Sequence, residues 1–138
     1  MKNTYSTNLN LSHVDIGLFI FRIGISALML THGYPKLLRF FGSEEIAFAD
    51  PLGMGEVASF TFAVFAEFIC SILIILGFGT RLAAIPLIGT MAVAALIVHM
   101  PDGFVRQELP LLYLVGYILL FFTGGGKYSL DWFLLKKK

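Results

Sequence analysis

Residues 19–30, FIFRIGISALML, and residues 57–78, VASFTFAVFAEFICSILIILGF, decide the fold. A bilayer core takes about 20 helical residues at about 1.5 Å each, and both stretches belong to segments of that order. Each carries one ionisable side chain, Arg22 in the first and Glu67 in the second. Burying such a group at mid-membrane costs about 2.5–3.5 kcal/mol on insertion scales, so it faces a protein interior, a partner or a wet cavity. These two residues mark where the inside of the protein must be.

Composition agrees. Hydrophobic residues make up 57% of the chain and charged ones 14%, with a mean hydropathy of +0.83. A soluble domain carries about a quarter charged residues. The lipid bilayer is therefore the expected surroundings, and a net charge of +1 gives no reason to expect nucleic acid. The lone Cys70 cannot form a disulfide within the chain. Met1–Val14 lacks a basic n-region and no small-residue cleavage site follows, so the first apolar segment reads as a retained span.

Four spans are expected in one domain covering residues 1–138: Ile16–Tyr34, Val57–Phe78, Leu82–Met100 and Leu109–Thr123. The expected fold is an all-α, antiparallel four-helix membrane bundle. The first span should stop near Gly33–Tyr34–Pro35, the second at Gly77–Phe78–Gly79, and Pro86 and Pro110 should stand in the first turns of the third and fourth. Lys36–Phe41 alternates basic and apolar residues as an interfacial helix would, and the remainder of the segment to Glu56 suits a re-entrant or capping loop. Residues 129–135 suit an amphipathic tail with Trp132 at the interface. One side of the bundle collects Lys2, Arg81, Lys127 and Lys136–Lys138, and the other Lys36, Arg39 and Arg106. The positive-inside rule then places both termini in the cytoplasm.

Helical spacing puts Arg22, Ser26, Met29, Gly33 and Lys36 on one stripe, and Glu56, Phe60, Ala63, Glu67 and Ser71 on another. If Arg22 stands about 10 Å and Glu67 about 15 Å above the cytoplasmic end, the two can pair. The pair would fix helix register or take part directly in chemistry. His32 and His99 fall near the outer ends of the first and third spans, level with Lys36, Arg106 and Glu108, with Tyr113 and Tyr117 one turn apart on the fourth. Such a set could line an outward-opening pocket for a polar head with an apolar tail. Glu67, His32, His99 and Glu108 are the candidate acids and bases; Arg22, Lys36, Arg106, Tyr113 and Tyr117 are the candidate ligand-binding groups. The bland alternatives are capping histidines, lipid-phosphate contacts and an aromatic belt. No further Cys or His supports a metal site, and haem is not expected.

The run Arg22–Ile23–Gly24, Thr31–Leu37, Ala66–Glu67–Phe68, Ile75–Arg81, His99, Glu108 and Gly124–Asp131 resembles the DoxX family over roughly Val14 to Trp132. The resemblance implies a small four-helix protein of the bacterial inner membrane. Members of the wider group are associated with thiosulfate:quinone oxidoreductase, quinone and thiol-stress resistance, and membrane redox complexes. Carried over by position, the family-like polar residues are Arg22, His32, Gly33, Lys36, Glu67, His99 and Glu108. Gly126 stands where many relatives have proline. No cofactor motif comes with the family. Two functions stay open: a quinone-interacting subunit of a membrane oxidoreductase or redox-stress system, working with a soluble redox enzyme, or a non-catalytic scaffold or carrier of a small amphipathic solute. Either could act as a homo-oligomer, and the resemblance leaves any activity of the chain alone undecided.

Overall fold

The computed structural model describes residues 8–137. Lys2 and Lys138, both used in the charge count, lie outside the described residues. The described chain is helical, and four of its helices are long and apolar enough to cross a membrane: α1 (Leu11–Phe40), α2 (Glu56–Leu76), α3 (Thr80–Val98) and α4 (Phe104–Thr123). A short fifth helix, α5 (Leu130–Lys136), follows. Consecutive spans run antiparallel as expected, joined by a long connection at residues 41–55 and short ones at 77–79 and 99–103.

The helix limits differ from the sequence reading most at α1 and α4. α1 does not stop at Pro35 but continues to Phe40, so Lys36–Phe41 is no separate interfacial helix. Its 30 residues give a rod of about 45 Å, longer than a bilayer core. α4 starts at Phe104, which places Pro110 inside the helix rather than in its first turn, and Pro86 lies inside α3. A proline frees one carbonyl four residues earlier, a defect that membrane helices absorb through neighbouring groups. The glycine stop of α2 is as expected: Gly77 is left-handed (φ 71°), and Phe78 N–H donates to Leu73 O at 2.9 Å.

Small residues set the spacing of the bundle. A Cβ on Gly33 would stand 2.6 Å from the Glu67 carbonyl carbon, so α1 can lie against α2 here only through glycine. On the other flank, Gly116 of α4 leaves room for the Ile25 and Phe21 side chains of α1. Met29, Ala66, Cys70, Ile74, Ala84, Leu87, Tyr117 and Leu120 fill the centre.

Arg22 and Glu67 are both buried, at 1% and 3% exposure, but they do not meet. Arg22 Nη1 donates to Ile74 O at 2.9 Å and to Ile75 O, and its Nη2 donates to Tyr128 O at 2.5 Å. The expected pair fails on register. Gly33, and not Arg22, lies against Glu67, and the two α1 residues are eleven positions apart, about 16 Å along the helix. Levelling the helix ends placed Arg22 too near Glu67, because α1 begins at Leu11 and overhangs the end of α2 by several turns. The overhang packs on the C-terminal turn: Lys127 N–H donates to Asp15 Oδ1 at 3.0 Å, and Phe19 meets Tyr128 edge to face.

Candidate functional site

The partner of Glu67 is Lys36. Lys36 Nζ lies 2.6 Å from each Glu67 carboxylate oxygen, with the carboxylate side chain 4% exposed and the lysine 29%. Gly33 explains the geometry: it brings α1 onto the Glu67 backbone, and Lys36, one turn further along the same face, reaches the carboxylate. Lys36 Nζ also sits 5.7 Å from the centre of the Phe48 ring.

Two breaks in α-helical hydrogen bonding flank this pair. α2 widens into a π turn over Phe65–Cys70, which contains Glu67, and α3 does so over Ala94–Val98, where His99 N–H donates to Ala94 O at 2.9 Å. Such turns insert one residue into a helix and recur at functional sites. Gln107 Nε2 donates to Ala95 O at 2.8 Å, giving a carbonyl of the second turn a partner from α4.

Around the pair the bundle is hollow. A cavity of about 440 Å³ lies between α2, α3 and the 41–55 loop, lined largely by Phe48, Pro51, Leu52, Met54, Phe62, Val93 and Val98. A second, of about 200 Å³, lies toward α1 and α4 and is lined by His32, Arg106, Tyr113, Met29, Met91 and Leu109. Lys36, Glu67, Ala94 and His99 border both. A largely apolar chamber and one of mixed lining thus share a charged pair as their common wall.

The structure brings His32, Lys36, Glu67, His99, Arg106 and Tyr113 together around these cavities. It places three other candidates elsewhere. Arg22 is bound to carbonyls at the opposite end of α2. Tyr117 is fully buried, stacked on Tyr113 at 6.3 Å, and lines neither cavity. Glu108 is exposed near the start of α4 and lines neither cavity. Its expected place beside His99 fails because α4 starts five residues before Leu109, which turns Glu108 onto another face.

Sequence reading missed Asp102 and the role of Asp50. Asp102 Oδ2 lies 3.1 Å from His99 Nδ1, within hydrogen-bond distance, and 3.9 Å from Arg106 Nη1. The His–Met–Pro–Asp spacing after a helix end was the available signal. Asp50 shapes the loop: Met54 and Gly55 N–H groups and the Ser59 hydroxyl donate to its carboxylate, each at 2.9 Å. Desolvation works to raise its pKa, but these donors together with the Gly53 N–H outweigh it and hold the carboxyl below its ordinary range. Asp50–Pro51 with Gly53 and Gly55 is the composition of such a turn. The turn carries Phe48, Leu52 and Met54 over the larger cavity.

Comparison with known proteins gives one family and one informative relative. The DoxX family description matches residues 17–100. The chain is 27% identical over 129 residues to the protein called "Inner membrane protein YqjF" of Escherichia coli (strain K12), covering 89% of this chain and 95% of that one. No solved structure gives a significant match.

Proposed function

The chain belongs to the DoxX family of membrane proteins, and from that premise we propose that it binds a quinone-like amphiphile at the Lys36–Glu67 pair. The observation that carries the reading is the two-part cavity: a largely apolar chamber of about 440 Å³, within the usual range for small-molecule sites, ends on a buried charged pair. A ring with carbonyl acceptors suits the Lys36 ammonium and His99, and an isoprenoid or alkyl tail suits Phe62, Val93, Val98 and the loop side chains. A bound quinone would supply two-electron, two-proton redox chemistry, with the electrons drawn from a partner enzyme. The chain's own residues orient the head, keep the tail out of water, and hold a proton-exchanging carboxylate at Glu67.

The family match and the relative's name support a place in the bacterial inner membrane. Arg81, Lys127, Lys136 and Lys137 at one end against Lys36, Arg39 and Arg106 at the other support an orientation with the C-terminus inside. The 41–55 loop and the cavities then lie on the outer side.

Equilibrium binding of a short-tailed benzoquinone to the detergent-purified protein, followed by calorimetry, tests the reading. Micromolar binding that falls at least tenfold in Lys36→Met and Glu67→Gln supports it. Absence of binding, or binding indifferent to both substitutions, overturns it.

A further inference from the structure

The opposite end of the bundle holds a third cavity, of about 650 Å³, formed where the start of α3, the end of α4 and α5 meet. Arg81 and Lys127 line it. Among the described residues neither cation has a carboxylate within ion-pair distance. Arg81 has one long contact, Nη2 to Phe122 O at 3.4 Å, and Lys127 Nζ lies 5.6 Å from the centre of the Trp132 ring, which Lys136 Nζ also approaches at 4.8 Å.

The two acids in the wall are already engaged. Asp131 accepts from Gly79 N–H at 2.7 Å and Thr80 N–H at 2.9 Å. Asp15 accepts from Lys127 N–H at 3.0 Å. Thr80 provides an independent sign: it belongs to the cavity wall, is fully buried, and its hydroxyl, packed beside Gly125, has no partner among the described residues. A buried hydroxyl with no partner is unfavourable unless something binds it. The rim beyond these polar groups is apolar and exposed, formed by Leu82, Leu134 and Leu135 with Trp132.

Two cations outside ion-pair distance of the engaged acids, an unpartnered hydroxyl and an apolar rim at the end of membrane-spanning helices together specify an occupant. We infer that this cavity binds the phosphate group of an anionic phospholipid, with Arg81, Lys127 and the Thr80 hydroxyl on the phosphate and the acyl chains along Leu82, Leu134 and Leu135. The apolar rim selects a lipid over free phosphate, and the cations select an anionic headgroup over a zwitterionic one. The site is separate from the Lys36–Glu67 cavities and does not depend on what they bind.

Native mass spectrometry of the full chain in detergent, titrated with short-chain phosphatidylglycerol, short-chain phosphatidylcholine or inorganic phosphate, tests the assignment. Phosphatidylglycerol should bind at least tenfold more tightly than either of the others. The Arg81→Gln/Lys127→Gln variant should abolish that preference, and Thr80→Val, which keeps side-chain shape, should weaken phosphatidylglycerol binding several-fold. Equal binding of the two lipids, or a preference unchanged in a folded Lys127→Gln single variant, overturns the site. Inorganic phosphate binding as well as phosphatidylglycerol overturns the lipid assignment.

Discussion

Removing Lys36 leaves the Glu67 carboxylate buried with nothing to compensate it. Lys36→Met keeps the length and apolar stem of the side chain and deletes the charge that now sits 2.6 Å from both carboxylate oxygens. Losing one partner of a buried ion pair costs about 3–5 kcal/mol. Because the lysine is 29% exposed and partly screened, the lower end, about 3 kcal/mol, applies. Replacing both groups, as Lys36→Met/Glu67→Leu, removes the stranded charge along with the pair and should return stability to within about 1 kcal/mol of the parent. A double-mutant cycle, read by denaturant unfolding in mixed micelles, should therefore give a coupling of about 2 kcal/mol or more. The same cycle on Arg22 and Glu67 should be additive, since they share no contact. Single Lys36 and Glu67 variants within about 0.5 kcal/mol of the parent, or additive effects of the two, would refute the reasoning.

Gly33→Ala should destabilise by more than about 3 kcal/mol and weaken ligand binding together, since its methyl would press into the Glu67 backbone at 2.6 Å; thermal unfolding and calorimetry check both. Arg22→Met removes the guanidinium that ties Tyr128 O to Ile74 O and Ile75 O and should free the C-terminal segment, so limited proteolysis should cut after Tyr128 sooner than in the parent. The Asp50 loop should be acid-sensitive. Its folded-state pKa is depressed, so its contribution is fully present above the unfolded value near pH ~3.9 and is lost as pH falls through the folded value. The Met54 and Gly55 amide resonances should hold steady at neutral pH and shift only below about pH 4, and Asp50→Asn should remove that dependence.

The four spans were legible because they rest on two signals that membranes amplify, unbroken apolar length and the rarity of charge. Arg22 and Glu67 were each correctly read as interior residues, since no lipid-facing position tolerates them. Their partners were not legible. Pairing across helices depends on register, and register follows from where α1 ends, which prolines conceal: Pro35 reads as a stop in water-soluble sequences yet lies inside a helix here. Lys36 consequently looked like an interfacial residue when it was the counter-ion. The two π turns carry no composition signal, although they turn Glu67 and His99 toward one space. The convergence of His32, His99 and Lys36 could be seen from parallel helix ends, whereas Glu108 could not be placed without the start of α4.

Photolabelling tests the central claim most directly. An azido-benzoquinone with a short tail, irradiated with the purified protein and mapped by peptide mass spectrometry, should label residues 48–54 and 93–99, and unlabelled quinone should compete it away. Labelling confined to the Arg22 end of the bundle, or spread evenly over lipid-facing residues without competition, would contradict a quinone site at the Lys36–Glu67 pair.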